Sequence, residues 1–240
     1  MSNTAGTTWD VGTVPYIPAP MQWGKRHKAF HDAREKWDLC GLMEGHHYGF
    51  SPSIISELSK WSYWSPVIPA NEILNKIAIR DFGSDGAEYA FEAWKFWSEA
   101  SNYFMPTNED QYGPCRVEPS YPLIFHSDIT RTFLSQEIEM PAHPDAPMGN
   151  RIVKTFYRPF ENEQQSPGIL RFPVEIKTLR KMLKIWNSGI AAMEKAVDKA
   201  PAPRKDMAQK MLCLGKYIAA SVLTTIHLKE WWLLNKKTLA

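Results

Sequence analysis

The chain has no excess of charge of either sign. Its 28 Lys and Arg stand against 26 Asp and Glu, for a formal net charge of +2 over 240 residues. A balance this even predicts no nucleic-acid partner and no acidic membrane surface as partner. Cysteine is scarce: Cys40, Cys115 and Cys213 lie far apart, are odd in number, and match neither a zinc spacing nor a disulfide framework. No metal and no cofactor is expected on that pattern, and a reducing cytoplasm is the expected setting. Cys115 follows Pro114 and has no base paired with it in the sequence, so a thiol nucleophile is not expected. The opening MSNTAGTTWDVG lacks the basic and apolar regions of a secretory signal. No uninterrupted apolar run reaches bilayer-spanning length, so no membrane is expected. Internal repeats and low-complexity tracts are missing too.

Aromatic residues are plentiful at 12%, with Trp alone numbering 10. Such a content suits either stacking on sugar rings or a core built from large side chains. The length allows one large domain or two small ones with a substantial core.

The stretch Leu39–Ser53, LCGLMEGHHYGFSPS, is apolar to Met43 and then abruptly polar. A short apolar run bounded by glycine fits a buried parallel strand, and Ser51-Pro52 fits a helix start with Ser51 as N-cap. Upstream, WDVGTVPYIPAP predicts a short strand over Val11–Tyr16, and Met21–Trp37 a helix with Trp23, His27, Phe30 and Arg34 facing inward. Ser53–Trp64 predicts a further helix with Ile54, Leu58, Trp61 and Tyr63 or Trp64 on its apolar face. The expected order is thus β-α-β-α, a parallel unit with a right-handed crossover. Further on, Asn71–Arg80 predicts a short helix stopped at Asp81-Phe82-Gly83, and Asp85–Asn102 a longer one. Residues 105–165 are rich in proline and polar groups. Pro173–Lys199 and Asp206–Lys236 carry apolar groups at helical spacing around Pro201-Ala202-Pro203, the pattern of an antiparallel helical hairpin.

A polar cluster at the end of a parallel strand stands where α/β folds bind ligands. Glu44 would accept hydrogen bonds from neighbouring sugar hydroxyls, with His46, His47 and Tyr48 beside it; the plainer alternative is a polar cap on the strand end. Trp9 and Asp10 pair an aromatic face with a carboxylate, which is what a pyranose needs, although a core Trp and a turn Asp would read the same. The loop NEDQYGPCR offers Asp110, Gln111, Tyr112 and Arg116 as further contacts, or acts as a structural clamp. The aromatic runs Trp61–Trp64, Trp94–Trp97 and Trp231-Trp232 read as core.

Taken together, WDVGTVPYIPAPMQW, GLMEGHHYGFSPSIISELSKW and PTNEDQYGPCRVEPSYPL resemble the C-terminal part of bacterial glycoside hydrolases, those grouped with the hexosaminidase-like family 20. The resemblance covers roughly residues 9–123. It implies an α/β fold class: the last βα units of a (β/α)8 barrel over 1–66, helices and a long Pro-rich loop over 67–172, and the helical hairpin over 173–240. It also implies a carbohydrate substrate, with the catalytic Asp-Glu pair expected upstream and the missing barrel half as a partner. Glu44 matches by position a family Glu that holds sugar hydroxyls. No Trp stands beside it, and His46 and His47 take that place. On this reading the chain contributes sugar binding, and its own catalytic residues are unknown. The alternative is a non-catalytic carbohydrate-binding or protein-interaction module.

Overall fold

The computed structural model describes residues 2–3, 17–41, 43–44, 53–104 and 168–239. Among them the architecture is helical: α1 (Pro20–Trp37), α2 (Ile54–Ser62), α3 (Ala70–Ala100), α4 (Gly168–Lys199) and α5 (Lys205–Leu239), with short 3-10 turns at Ser101–Tyr103 and Ala202–Arg204. The single extended pairing joins β1 (Ser2–Asn3) to β2 (Met43–Glu44), two residues on each side. The chain splits into two compact units: among the described residues, the first holds 2–3, 17–41, 43–44, 53–103 and 182–219, and the second holds 104, 168–181 and 220–239.

In the first unit α2 starts at a reciprocal cap. The Ser56 N–H donates to Ser53 Oγ at 3.1 Å and the Ser53 N–H donates to Ser56 Oγ at 2.9 Å, satisfying two helix-end donors at once. The helix buries Ile54, Ile55 and Leu58. Opposite it, His27 of α1 is buried and its Nε2 lies 3.1 Å from Ser59 Oγ of α2. The start of α1 is tied to the end of α3: the Met21 N–H donates to Ser98 Oγ at 3.1 Å, and Gln22 Nε2 donates to the Ser98 carbonyl at 3.0 Å.

α3 is two helical arms that fold back at Gly83, whose φ of 73° and ψ of 170° no helix contains. The ring contact across the break shows the reversal. Phe82 and Trp94 pack edge to face with centroids 6.1 Å apart, where a straight helix would separate positions twelve apart by about 18 Å. The second arm places Trp97 between α4 and α5. The Trp97 ring stacks on Trp186 at 5.3 Å and 20°, and its indole N–H donates to the Trp186 carbonyl at 3.2 Å. Trp186 Nε1 in turn donates to the Gly215 carbonyl at 2.8 Å. Trp97 fits because the facing positions are glycines: a Cβ on Gly189 or on Gly215 would come within 2.5 Å of its ring. α4 and α5 run antiparallel here, linked near their turn by Lys216–Glu194 at 2.8 Å.

The second unit contains the start of α4 and the end of α5. Ile176, Leu179, Val222 and Ile226 are buried in it. A charged cluster is buried with them: Lys229 Nζ donates to Glu175 Oε2 at 2.8 Å, Arg171 Nε donates to Glu175 Oε1 at 2.8 Å, and the Lys229 ammonium lies 4.6 Å from the centroid of Phe172. Arg180 and Glu230 form an outer ion pair.

These observations correct several expectations. The α/β barrel end is overturned, because α1, α2 and α3 pack directly on one another and cover each other's apolar faces without a sheet between them. Of the expected strand over Leu39–Met43 only Met43 is extended, as the first residue of β2, and Leu39–Gly41 fail to form one for a local reason. Asp38 adopts a left-handed conformation (φ 52°, ψ 39°) that ends α1, and Leu39–Gly41 then run on without strand structure, Cys40 and Gly41 exposed. The expected strand Val11–Tyr16 lies outside the described residues, as does the expected cap Ser51; the N-cap of α2 is Ser53. One apolar stretch was also missed by counting uninterrupted runs. Within Ala202–Trp231, which includes most of α5, an 18-residue window reaches a mean hydropathy of 1.4, enough by length and composition to cross a membrane. Ala208, Leu212, Ile218, Val222 and Ile226 of this stretch are buried in the protein, and a core helix passes the same test of length and apolarity.

Candidate binding sites

Of the sequence-predicted site residues, only Glu44 falls among the described residues, as the second residue of β2, where its backbone pairs with Asn3. Trp9, Asp10, His46, His47, Tyr48, Asp110, Gln111, Tyr112 and Arg116 lie outside them. The structure brings a different set together, on the outer side of α2.

Glu57 and Trp61 are four residues apart and stand one above the other on α2. Their side borders the buried stripe, so Trp61 remains 40% exposed, and Trp64, just past the helix end, is 66% exposed. The two indoles meet at an angle of 43° with centroids 6.3 Å apart. Reading Trp61–Trp64 as core is therefore corrected, whereas Trp94 and Trp97 are fully buried. The signal that separates the two pairs is positional. Trp61 sits at the edge of a nine-residue helix and Trp64 lies beyond its last turn, while Trp94 and Trp97 sit on an arm packed between other helices.

Behind Trp61 lies a hollow of about 190 Å³ floored by Ile68, Ile73 and Ile77 and walled by Glu57, Lys76 and Arg80. The Arg80 guanidinium is gripped from two sides. Its Nη1 and Nη2 donate to the two Glu57 oxygens at 2.7 and 3.0 Å. Its Nε and Nη2 donate to the two Asp81 oxygens, both at 2.7 Å. The hydrogen bonds from Asp81 first and Glu57 second hold the guanidinium well above its ordinary pKa, against the smaller opposing effect of burial. An exposed ion pair of this kind adds little stability. Its effect is geometric: both carboxylates are locked in place, and each retains lone pairs that point away from the guanidinium.

A second and larger cleft, of about 570 Å³, opens between α1, the end of α2 and the start of α3. Its floor is Leu58, Ile73 and Leu74, and its polar side is α1, with Lys25, Lys28, His31, Asp32 and Glu35. Lys28 is bound to Asp32 at 2.7 Å. Among the described residues there is no group of three His, Cys, Asp or Glu side chains able to hold a metal ion. The His27–Ser59 contact resembles half of a nucleophilic dyad, but both side chains are buried where α1 packs on α2, so the pair joins the two helices. No known protein family matches the chain, and no curated protein or solved structure is similar to it.

Proposed function

We propose that this chain is a non-catalytic, carbohydrate-binding helical part of a glycoside hydrolase-like protein. The observation that carries the reading is the exposed indole pair Trp61–Trp64 beside the Glu57 carboxylate that Arg80 holds in place. A pyranose has an apolar face and a rim of hydroxyls, and it binds where an aromatic plane and oriented acceptors adjoin. Two angled indoles suit successive rings of an oligosaccharide better than one flat ring. The resemblance of the GLMEGHHYGFSPSIISELSKW phrase to glycoside hydrolases supports the same reading, since that phrase ends on Trp61.

Titration calorimetry with soluble chito- and cello-oligosaccharides tests it. Saturable binding is expected for at least one series, and Trp61→Ala and Trp64→Ala should each weaken it about tenfold or more, a change of about 1.4 kcal/mol. Glu57→Gln, which keeps the shape but loosens the Arg80 clamp, should weaken it less. No binding in either series, or binding indifferent to both tryptophans, would remove the platform from this role. A second reading is a protein-docking face, favoured by the further exposure of Trp37, Tyr63 and Val67 and by the enrichment of Trp and Tyr at interfaces. Under that reading the oligosaccharides fail to bind, and the two tryptophan variants lose a protein partner instead.

A further inference from the structure

We infer that a small pocket between the second half of α1, residues 39–41 and the end of α2 is a binding site for one tetrahedral oxyanion, a phosphate or a sulfate. The pocket measures about 110 Å³. Small-molecule sites run to roughly 300–1,000 Å³, so this one does not enclose a ring-sized ligand. At about 30 Å³ for each water in the liquid, the space matches roughly four oxygens, the size of such an ion.

The lining sets the sign of the charge. His27, His31 and Arg34 follow one stripe of α1 at i, i+4 and i+7 and all line the pocket, whereas among the described residues no Asp or Glu does. His31 and Arg34 are three residues apart, with Cβ atoms within about 6 Å of each other, so one ion reaches both. Each offers accessible surface: Arg34 is exposed and His31 half-buried. The buried His27 closes the inner end, its Nε2 3.1 Å from Ser59 Oγ. Lys28, Lys76 and Arg80 are already paired with carboxylates. Among the described residues Arg34 has no such partner, and its planar fork matches two oxygens of an oxyanion. A carboxylate would use that fork alone; a tetrahedral ion has further oxygens for His31. Asp32 and Glu35 line the larger cleft instead, and Asp32 is held by Lys28. The partial negative charge of two helix C-termini opposes an anion here. At the end of α2 the carbonyls are already bonded, to the Tyr63 N–H at 3.3 Å, the Trp64 N–H at 3.2 Å and Ser62 Oγ at 2.7 Å. At the end of α1, Arg34 and Lys36 stand in the last turn and offset it. The spacing of His27 and His31 also suits a metal, but among the described residues no third ligand joins them.

Calorimetry on the full chain at neutral pH and low ionic strength tests the site with inorganic phosphate, sulfate, acetate and phenyl phosphate. Phosphate and sulfate should bind saturably, and acetate about tenfold more weakly or worse. Phenyl phosphate separates two sources of the group: tighter binding than phosphate assigns the site to a phosphate carried on a larger molecule, and weaker binding to the free ion. Arg34→Gln should weaken phosphate about tenfold or more, and His31→Gln should weaken it severalfold, with the thermal melt unchanged in both. Lys36→Gln removes the same charge from the same turn without touching the pocket, and it should change nothing. Cys40 lines the pocket and supplies a second readout. Phosphate should slow its alkylation by iodoacetamide and leave that of Cys213, exposed on α5, as it was. No saturation, acetate bound as well as phosphate, equal losses in Lys36→Gln and Arg34→Gln, or an unprotected Cys40 would each overturn the assignment. Phosphate binding should survive Trp61→Ala, so the site stands or falls independently of the indole platform.

Discussion

Trp94 and Trp97 lie three residues apart on one helical arm, are both fully buried, and should respond differently to the same substitution. Trp97 donates its indole N–H to the Trp186 carbonyl, whereas Trp94 Nε1 is buried without an acceptor. Replacing either by Phe removes the same volume and leaves a comparable void. Trp97→Phe also orphans a carbonyl, while Trp94→Phe relieves an unsatisfied donor. Denaturant unfolding should therefore find Trp97→Phe more destabilising, by roughly 1–3 kcal/mol; equal losses would refute the hydrogen-bond account. The glycines that receive Trp97 sharpen the point. Alanine is the better helix former by about 1 kcal/mol, yet Gly189→Ala and Gly215→Ala should each destabilise, because overpacking costs about 1–3 kcal/mol or more and the new methyl would meet the ring at 2.5 Å. Gly41→Ala, with nothing within 4 Å, should be nearly neutral. In the second unit, Glu175 holds both Arg171 and Lys229. Glu175→Gln, which leaves two cations facing each other, is expected to cost more than Lys229→Met, with breakage of such a pair costing about 3–5 kcal/mol.

At the scale of single elements, the punctuation of the chain explains what could be read from sequence. The break in α3 is legible because Gly83 follows a short amphipathic run, and glycine alone accepts the positive φ found there. Gly83→Ala should cost at least about 1–2 kcal/mol from backbone conformation alone, with the added methyl 3.0 Å from Pro201 Cδ; an unchanged melting temperature would show that the reversal tolerates a side chain. Ser53→Ala should cost about 1 kcal/mol by removing one half of the reciprocal cap of α2. The hairpin helices were legible as well, since Ile176, Leu179, Trp186, Met193 and Val197 recur at helical spacing and are all buried. The supposed strand at Leu39 was not. Five apolar residues carry no periodicity that separates a buried strand from an irregular stretch after a helix end, and only the left-handed turn at Asp38 decides it. The indole platform was hidden for the opposite reason. Trp61 falls at core-like spacing with Ile54 and Leu58, and its exposure depends on how short α2 is.

At the scale of the whole molecule, neither unit is a continuous piece of chain. The first unit keeps its central tryptophan between residues contributed by α4 and α5, and the Trp97–Trp186 hydrogen bond alone spans 89 positions. During synthesis, α1, α2 and both arms of α3 emerge with Trp94 and Trp97 still uncovered. The two glycines that will receive Trp97 follow only after a long intervening stretch. Closing a loop of that length must precede the packing that rewards it. A fragment of residues 1–103 should accordingly show helical far-UV circular dichroism without the near-UV signal of fixed tryptophans, and it should gain that signal when a fragment of residues 168–240 is added. A fixed near-UV spectrum in the shorter piece alone would contradict this. The nascent chain thus carries Trp94 and Trp97 uncovered for about half of its synthesis, and its yield in a cell should depend on chaperone supply more than its final stability suggests.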